Sequence, residues 1–93
     1  MRCKDEQEIL TLISCGNPDG LKSLFDLYYK PLCIFAMNFL DSFGESEDIV
    51  QDLFVKFWEK YKDKQFEGSL RAYFFTAVQH NCAKVLKLKN RYN

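Results

Sequence analysis

Apolar residues recur along most of the chain at spacings of three and four, the period of an amphipathic helix, and never in the alternation of a half-buried strand. Four helical segments follow from that spacing. The first is expected from about Lys4 to Ser14, with Ile9, Leu10, Leu12 and Ile13 as its apolar side. It stops at a turn in which Gly16 suits a left-handed conformation, Asn17 an N-cap and Pro18 the first turn of the next helix. The second is expected over roughly Pro18–Ser42, where Leu21, Leu24, Phe25, Tyr28, Leu32, Phe35, Ala36, Phe39 and Leu40 keep the helical period. Pro31 lies inside it and lacks a backbone donor, so a kink or break is expected near Tyr28–Tyr29. The third begins with Ser46 as N-cap, with Glu47 and Asp48 in its first turn, and runs to about Lys62. A polar loop follows, and Ser69 is expected to cap a fourth helix that reaches about Lys89. There is no internal repeat and no low-complexity tract. The pattern predicts an all-α fold, a compact bundle of three to four helices.

Advanced by about 100 degrees per residue, the third segment divides into two sides. Val50, Leu53, Phe54, Phe57 and Tyr61 form the side meant for a core. Asp48, Gln51, Asp52, Val55, Glu59 and Lys62 gather on the other, with Trp58 at the border. Acids around a valine and a tryptophan suit a surface that docks another protein better than one that faces only water. The alternative is that Trp58 tucks into the core and Val55 is an ordinary exposed apolar residue. On the fourth segment Phe74, Phe75, Val78, Cys82, Val85 and Leu86 are the apolar side. Tyr73, Thr76, His80, Lys84, Lys87 and Arg91 line up opposite. That row is basic, holds aromatic and hydroxyl groups, and has no carboxylate. It fits a nucleic-acid face, on which Lys and Arg neutralise phosphates and smaller groups meet bases. The preceding loop adds Lys64, Gln65 and Phe66, which suit an unpaired base. His80 taken alone is an ordinary surface residue.

Composition narrows the picture. The 93 residues are read as one domain, 1–93, with 1–16 as an N-terminal helix and 17–93 as the core unit. A chain of this length buries about 60–65% of its unfolded surface. Its 47% hydrophobic and 28% charged residues exclude a disordered chain. Nine Phe, five Tyr and one Trp against four Gly and two Pro leave little material for turns and favour a few long helices. The formal net charge is zero, but residues 1–67 hold eight Lys/Arg against thirteen Asp/Glu, and residues 68–93 hold five and none. This split fits an acidic part that meets one partner and a basic end that meets a polyanion. The plainer alternative is a solvated terminal helix whose cations complement its dipole. Cys3, Cys15, Cys33 and Cys82 are scattered without a CxxC pair, beside a single His, so they read as reduced structural residues and not as metal ligands. The polar N-terminus and the lack of any run near 18 apolar residues lead to a cytoplasmic expectation. No HExxH, GxSxG or phosphate-cradling glycine loop is present, so no catalytic residue, cofactor or small-molecule substrate is expected.

Three ordered blocks resemble a known family. The stretch EDIVQDLFVKFWEKY looks like the core-binding helix of region 2 in bacterial RNA polymerase sigma factors of the extracytoplasmic-function group. LFDLYYKPLCIFAMNFL is similar to the helix before it, tyrosine pair and internal proline included, and GSLRAYFFTAVQHNCAKVLKLKNR resembles the helix after it, which contacts the minus-ten promoter element. The resemblance spans about residues 18–91. It implies that Asp48, Gln51 and Asp52, completed by Val55 and Trp58, grip the clamp helices of the largest subunit of core RNA polymerase. It implies also that the loop 64–69 and the fourth helix take the non-template strand of melted promoter DNA, with one base flipped out against the loop. Lys64, Phe66, Tyr73, Thr76, His80, Lys84, Lys87 and Arg91 are the DNA-binding candidates. Gln79 and His80 stand where many relatives have an Arg-Asn pair, and Lys84 where they have an acid or amide, so the resemblance does not extend to which base is read. Such factors are commonly held inactive by an anti-sigma factor. Family members also carry a second domain with a helix-turn-helix. These 93 residues do not include one, and are read as a region 2 domain cut from a longer protein, with a natural short form as the alternative. The competing functional reading is a helical protein–protein module with no nucleic-acid role.

Overall fold

The computed structural model of the protein describes residues 5–91, and side chains through residue 89. The elements in chain order are α1 (Glu6–Ser14), α2 (Pro18–Met37), α3 (Phe43–Tyr61) and α4 (Leu70–Arg91). No strand occurs among the described residues, and the chain forms the expected all-α bundle. The expected helix start at Lys4, and Cys3, lie outside the described residues.

Each helix begins where a short polar side chain satisfies one of its free N–H groups. Asp5 accepts from the Glu8 N–H at 2.8 Å, and Asn17 from the Asp19 N–H at 3.0 Å. Ser69 accepts from the Ala72 N–H at 3.1 Å, as expected. The third cap is Ser42, whose Oγ accepts from the Glu45 N–H at 3.2 Å. This corrects the expected start at Ser46. Ser46 is fully buried one turn inside α3, where its hydroxyl donates to the Ser42 carbonyl at 3.0 Å. Ser42 is followed at the third position by Glu45, the spacing of a capping box, and the helix begins there.

α2 differs from expectation at two points. It stays helical through Pro31, so the break near Tyr28–Tyr29 does not occur. The turns on either side are held by buried Leu24, Leu32, Cys33 and Ala36, and the ring of Pro31 itself is exposed. Its C-terminus falls at Met37, short of Ser42, because Asn38 and the bend after it turn the chain toward α3.

The order of contacts gives the topology. Phe25 meets Phe54 and Tyr29 meets Glu47, so α2 and α3 are antiparallel. Phe57 meets Phe74 and Glu45 meets Lys89, so α3 and α4 are antiparallel too. Tyr28 packs near Phe74, and the Cys82 thiol points at the Ala36 carbonyl, so α2 and α4 run in parallel. α1 lies across the start of α2, where a Cβ on Gly20 would come within 2.9 Å of the Ile13 backbone nitrogen. The centre is aromatic. Phe57 is fully buried and its ring packs against Tyr61, Phe66, Tyr73 and Phe74 at centroid distances of 4.9–5.5 Å. The two buried thiols, Cys33 and Cys82, are free, and burial pushes both pKa values up. Cys15 is free and exposed.

Candidate functional site

On α3 the core positions turn inward as the spacing requires. Val50, Leu53, Phe54 and Phe57 are buried. The opposite side carries Asp48, Gln51, Asp52, Val55 and Glu59, all of them exposed. Val55 keeps 54% of its surface open in the middle of these polar groups. Trp58 is half-buried at the edge and packs against the core with part of its indole, so it is both a core flank and the rim of the face.

Two contacts organise this face. Asp52 pairs with Lys56 one turn on, at 2.9 Å, with both side chains largely in water. The carboxylate raises the pKa of the ammonium, chiefly through the hydrogen bond between them. An exposed pair of this kind contributes little to stability, because water screens it. Across the α2–α3 boundary, the Tyr29 hydroxyl donates to Glu47 Oε2 at 2.5 Å and accepts from Gln51 Nε2 at 3.2 Å. The hydrogen bond to Glu47 pushes the Tyr29 pKa up to about 12, with burial adding to it, so the phenol keeps its proton at physiological pH. Sequence reading alone missed Tyr29 and Glu47. The spacing from Asp52 to Lys56 is legible in a single helix, whereas a bond from α2 to α3 depends on how the two helices are set against each other.

On α4 the apolar side is inward, with Phe74, Val78 and Cys82 buried and Phe75, Val85 and Leu86 partly so. Thr76, His80, Lys84 and Lys87 are exposed along the opposite side. The side chain of Arg91 lies outside the described residues. Tyr73, Thr76 and His80 meet in a shallow open depression that also includes Ala72 and Ala77. Tyr73 is half-buried, and its ring meets Phe57, Tyr61, Phe66 and Phe74 edge-on. Phe66 is likewise half-buried against Phe57, Tyr61 and Tyr73. Both rings are therefore walls of the aromatic centre and are only partly open to solvent. Lys64 and Gln65 are exposed in the loop. Gln65 and Phe66 also close a small pocket against Gln7, Leu10, Thr11 and Ser14 of α1.

The two faces differ in chemistry as well as direction. That on α3 offers carboxylate and amide oxygens around a valine, while that on α4 offers ammonium, imidazole and hydroxyl groups and no carboxylate. Lys89, the remaining lysine of α4, is engaged at 2.7 Å with Glu45 on α3 and ties the two helices together. Among the described residues no group of three His, Cys, Asp or Glu side chains could hold a metal ion. No helix among them is long and apolar enough to cross a membrane.

The family model for sigma-70 region 2 matches residues 24–92. No curated protein and no solved structure matches the chain. Region 2 in this family is the part of a transcription initiation factor that binds RNA polymerase and recognises the minus-ten promoter element, and it is not an enzyme. The match runs from the middle of α2 through α3 and the described part of α4, so both faces lie inside it. With most of its length covered and all four helices in place, the chain belongs to the sigma-70 region 2 family.

Proposed function

We propose that the chain is the region 2 domain of a sigma factor of the extracytoplasmic-function group, working in the cytoplasm. Residues 17–93 form its core unit and α1 packs onto it. Asp48, Gln51, Asp52, Val55 and Trp58 dock on the clamp helices of the largest subunit of core RNA polymerase. The loop 64–69 and the outer side of α4 take the non-template strand of the melted minus-ten element. Lys84, Lys87 and Arg91 neutralise phosphates. Thr76, His80, Lys64 and the open sides of Phe66 and Tyr73 meet unstacked bases. Anti-sigma regulation acts by covering the α3 face.

One observation carries the reading. Neighbouring antiparallel helices expose an acid-rich face around Val55 and a carboxylate-free row around His80, at positions within the family match. A basic row free of carboxylates suits a polyanion better than it suits a second protein surface.

The test is charge reversal at Asp52. Asp52→Lys removes an exposed ion pair of small energetic value, so the melting transition should stay within a few degrees of the wild type. Affinity for core polymerase should fall at least about tenfold. Unchanged affinity by fluorescence titration would remove the docking assignment.

A further inference from the structure

We propose that Tyr29 is a positioning residue of the docking face: held by Glu47, its hydroxyl fixes the Gln51 amide so that the amide oxygen is left for a hydrogen-bond donor on the partner. The inference rests on the docking reading above and deepens it.

The geometry allows one hydrogen-bond order. The Tyr29 ring is fixed by stacking on Phe25, with centroids 4.3 Å apart and planes 19° apart, and Phe25 in turn packs on Phe54 of α3. A phenol has a single proton. Here it goes to the Glu47 carboxylate at 2.5 Å, a charge-assisted bond. The same oxygen lies 3.2 Å from the Gln51 side chain, and with its proton already committed it can only accept. Gln51 must therefore offer its NH₂ group, and its carbonyl oxygen remains. Glu47 and Gln51 are one turn apart on α3, so both reach the phenol from the same side.

The consequence falls on the face itself. Asp48 and Asp52 flank Gln51, and all three side chains are exposed. With one amide N–H held by Tyr29, the three side chains offer mainly acceptors, the Gln51 oxygen and two carboxylates, against one remaining amide N–H. A partner surface of arginine and lysine side chains matches that arrangement, and a surface offering carboxylates does not. An exposed glutamine ordinarily gives up rotamer freedom on binding. Here one polar end of the side chain is already held.

The experiment is a double-mutant cycle on the affinity of the full chain for core RNA polymerase. Tyr29→Phe keeps the stacked ring and removes the hydroxyl. It should weaken binding by about three- to tenfold, as should Gln51→Ala, and the double variant should bind no more weakly than Gln51→Ala alone. Glu47→Gln approaches the same network without touching the ring, and its effect should also vanish in the Gln51→Ala background. Tyr29→Phe at wild-type affinity, or effects of Tyr29→Phe and Gln51→Ala that multiply, would overturn the assignment. If Tyr29→Phe fails to fold, Glu47→Gln decides by the same two criteria. Asp52→Lys serves as the control. Where it loses binding and the Tyr29 and Glu47 variants do not, only the positioning role falls, and where it too binds like the wild type, the docking reading falls with it.

Discussion

At Gly16 the backbone has φ near +72°, and a Cβ placed there would come 2.2 Å from Asp63 Oδ1. Asp63 is itself held at φ 63°, with its N–H donated to the Ile13 carbonyl at 3.1 Å. The end of α1 is thus fastened to the turn after α3 through two residues in the left-handed region, one of them not glycine. Gly16→Ala should destabilise the fold by about 1–2 kcal/mol from the backbone alone, and by more if the Asp63 carboxylate cannot move aside. Urea denaturation measures this directly, and an unchanged midpoint would contradict the close approach. The left-handed turn at Gly16 is legible in the sequence because glycine before an Asn-Pro start is a local signal. Its neighbour is not legible, since Asp63 lies far along the chain and only the completed bundle brings the two together. Tyr29 is the same case at the exposed face of α3. Its ring reads as one more apolar position of α2, and nothing local marks its hydroxyl as the link between Glu47 and Gln51.

The helices themselves are mostly legible, because their signal is periodic and therefore repeated many times within each segment. Boundaries rest on single residues, and two serines compete for one of them. Ser42 caps α3 and Ser46 lies buried inside it, bonded back to the Ser42 carbonyl. Both could begin a helix by residue type, but only Ser42 has a glutamate at the third following position. Ser42→Ala should therefore cost about 0.5–2 kcal/mol, and Ser42→Asp should restore most of it, since aspartate caps as well as serine does. Thermal melts of the pair check this, and a loss that aspartate fails to restore would argue against capping as the cause. Pro31 shows the limit of a local rule in the other direction. It removes one hydrogen bond, yet Leu24 and Leu32 are fully buried on either side and α2 remains one helix. Packing on both flanks outweighs a single missing donor.

Over the whole molecule, the proposed function depends on keeping two unlike surfaces apart on one small body. Separation comes from the antiparallel pairing of α3 and α4, sealed by Phe57 against Phe74 in the middle and by Lys89 with Glu45 at the end. Their common core side is shared, so the outer sides are left to diverge. The division of charge between residues 1–67 and 68–93 is the trace of this in the sequence. The role of the aromatic pair is not visible there, because Phe66 and Tyr73 look like free stacking platforms until their packing against Phe57 and Tyr61 is seen. These two rings serve the core first, and the proposed base contact is left to what remains exposed of them.

The most direct test of two faces for two partners is a crossed binding measurement. Asp52→Lys and the double variant Lys84→Ala/Lys87→Ala are each titrated with core RNA polymerase and with single-stranded minus-ten DNA across a range of salt. The account expects Asp52→Lys to lose polymerase and keep its DNA affinity. It expects the lysine variant to keep polymerase while its DNA binding becomes less salt-dependent, by about 0.7 in log–log slope for each phosphate no longer neutralised. If either variant weakens both partners equally with the fold intact, or if the lysine variant keeps the full salt slope, the two faces are not separate sites and the account is wrong.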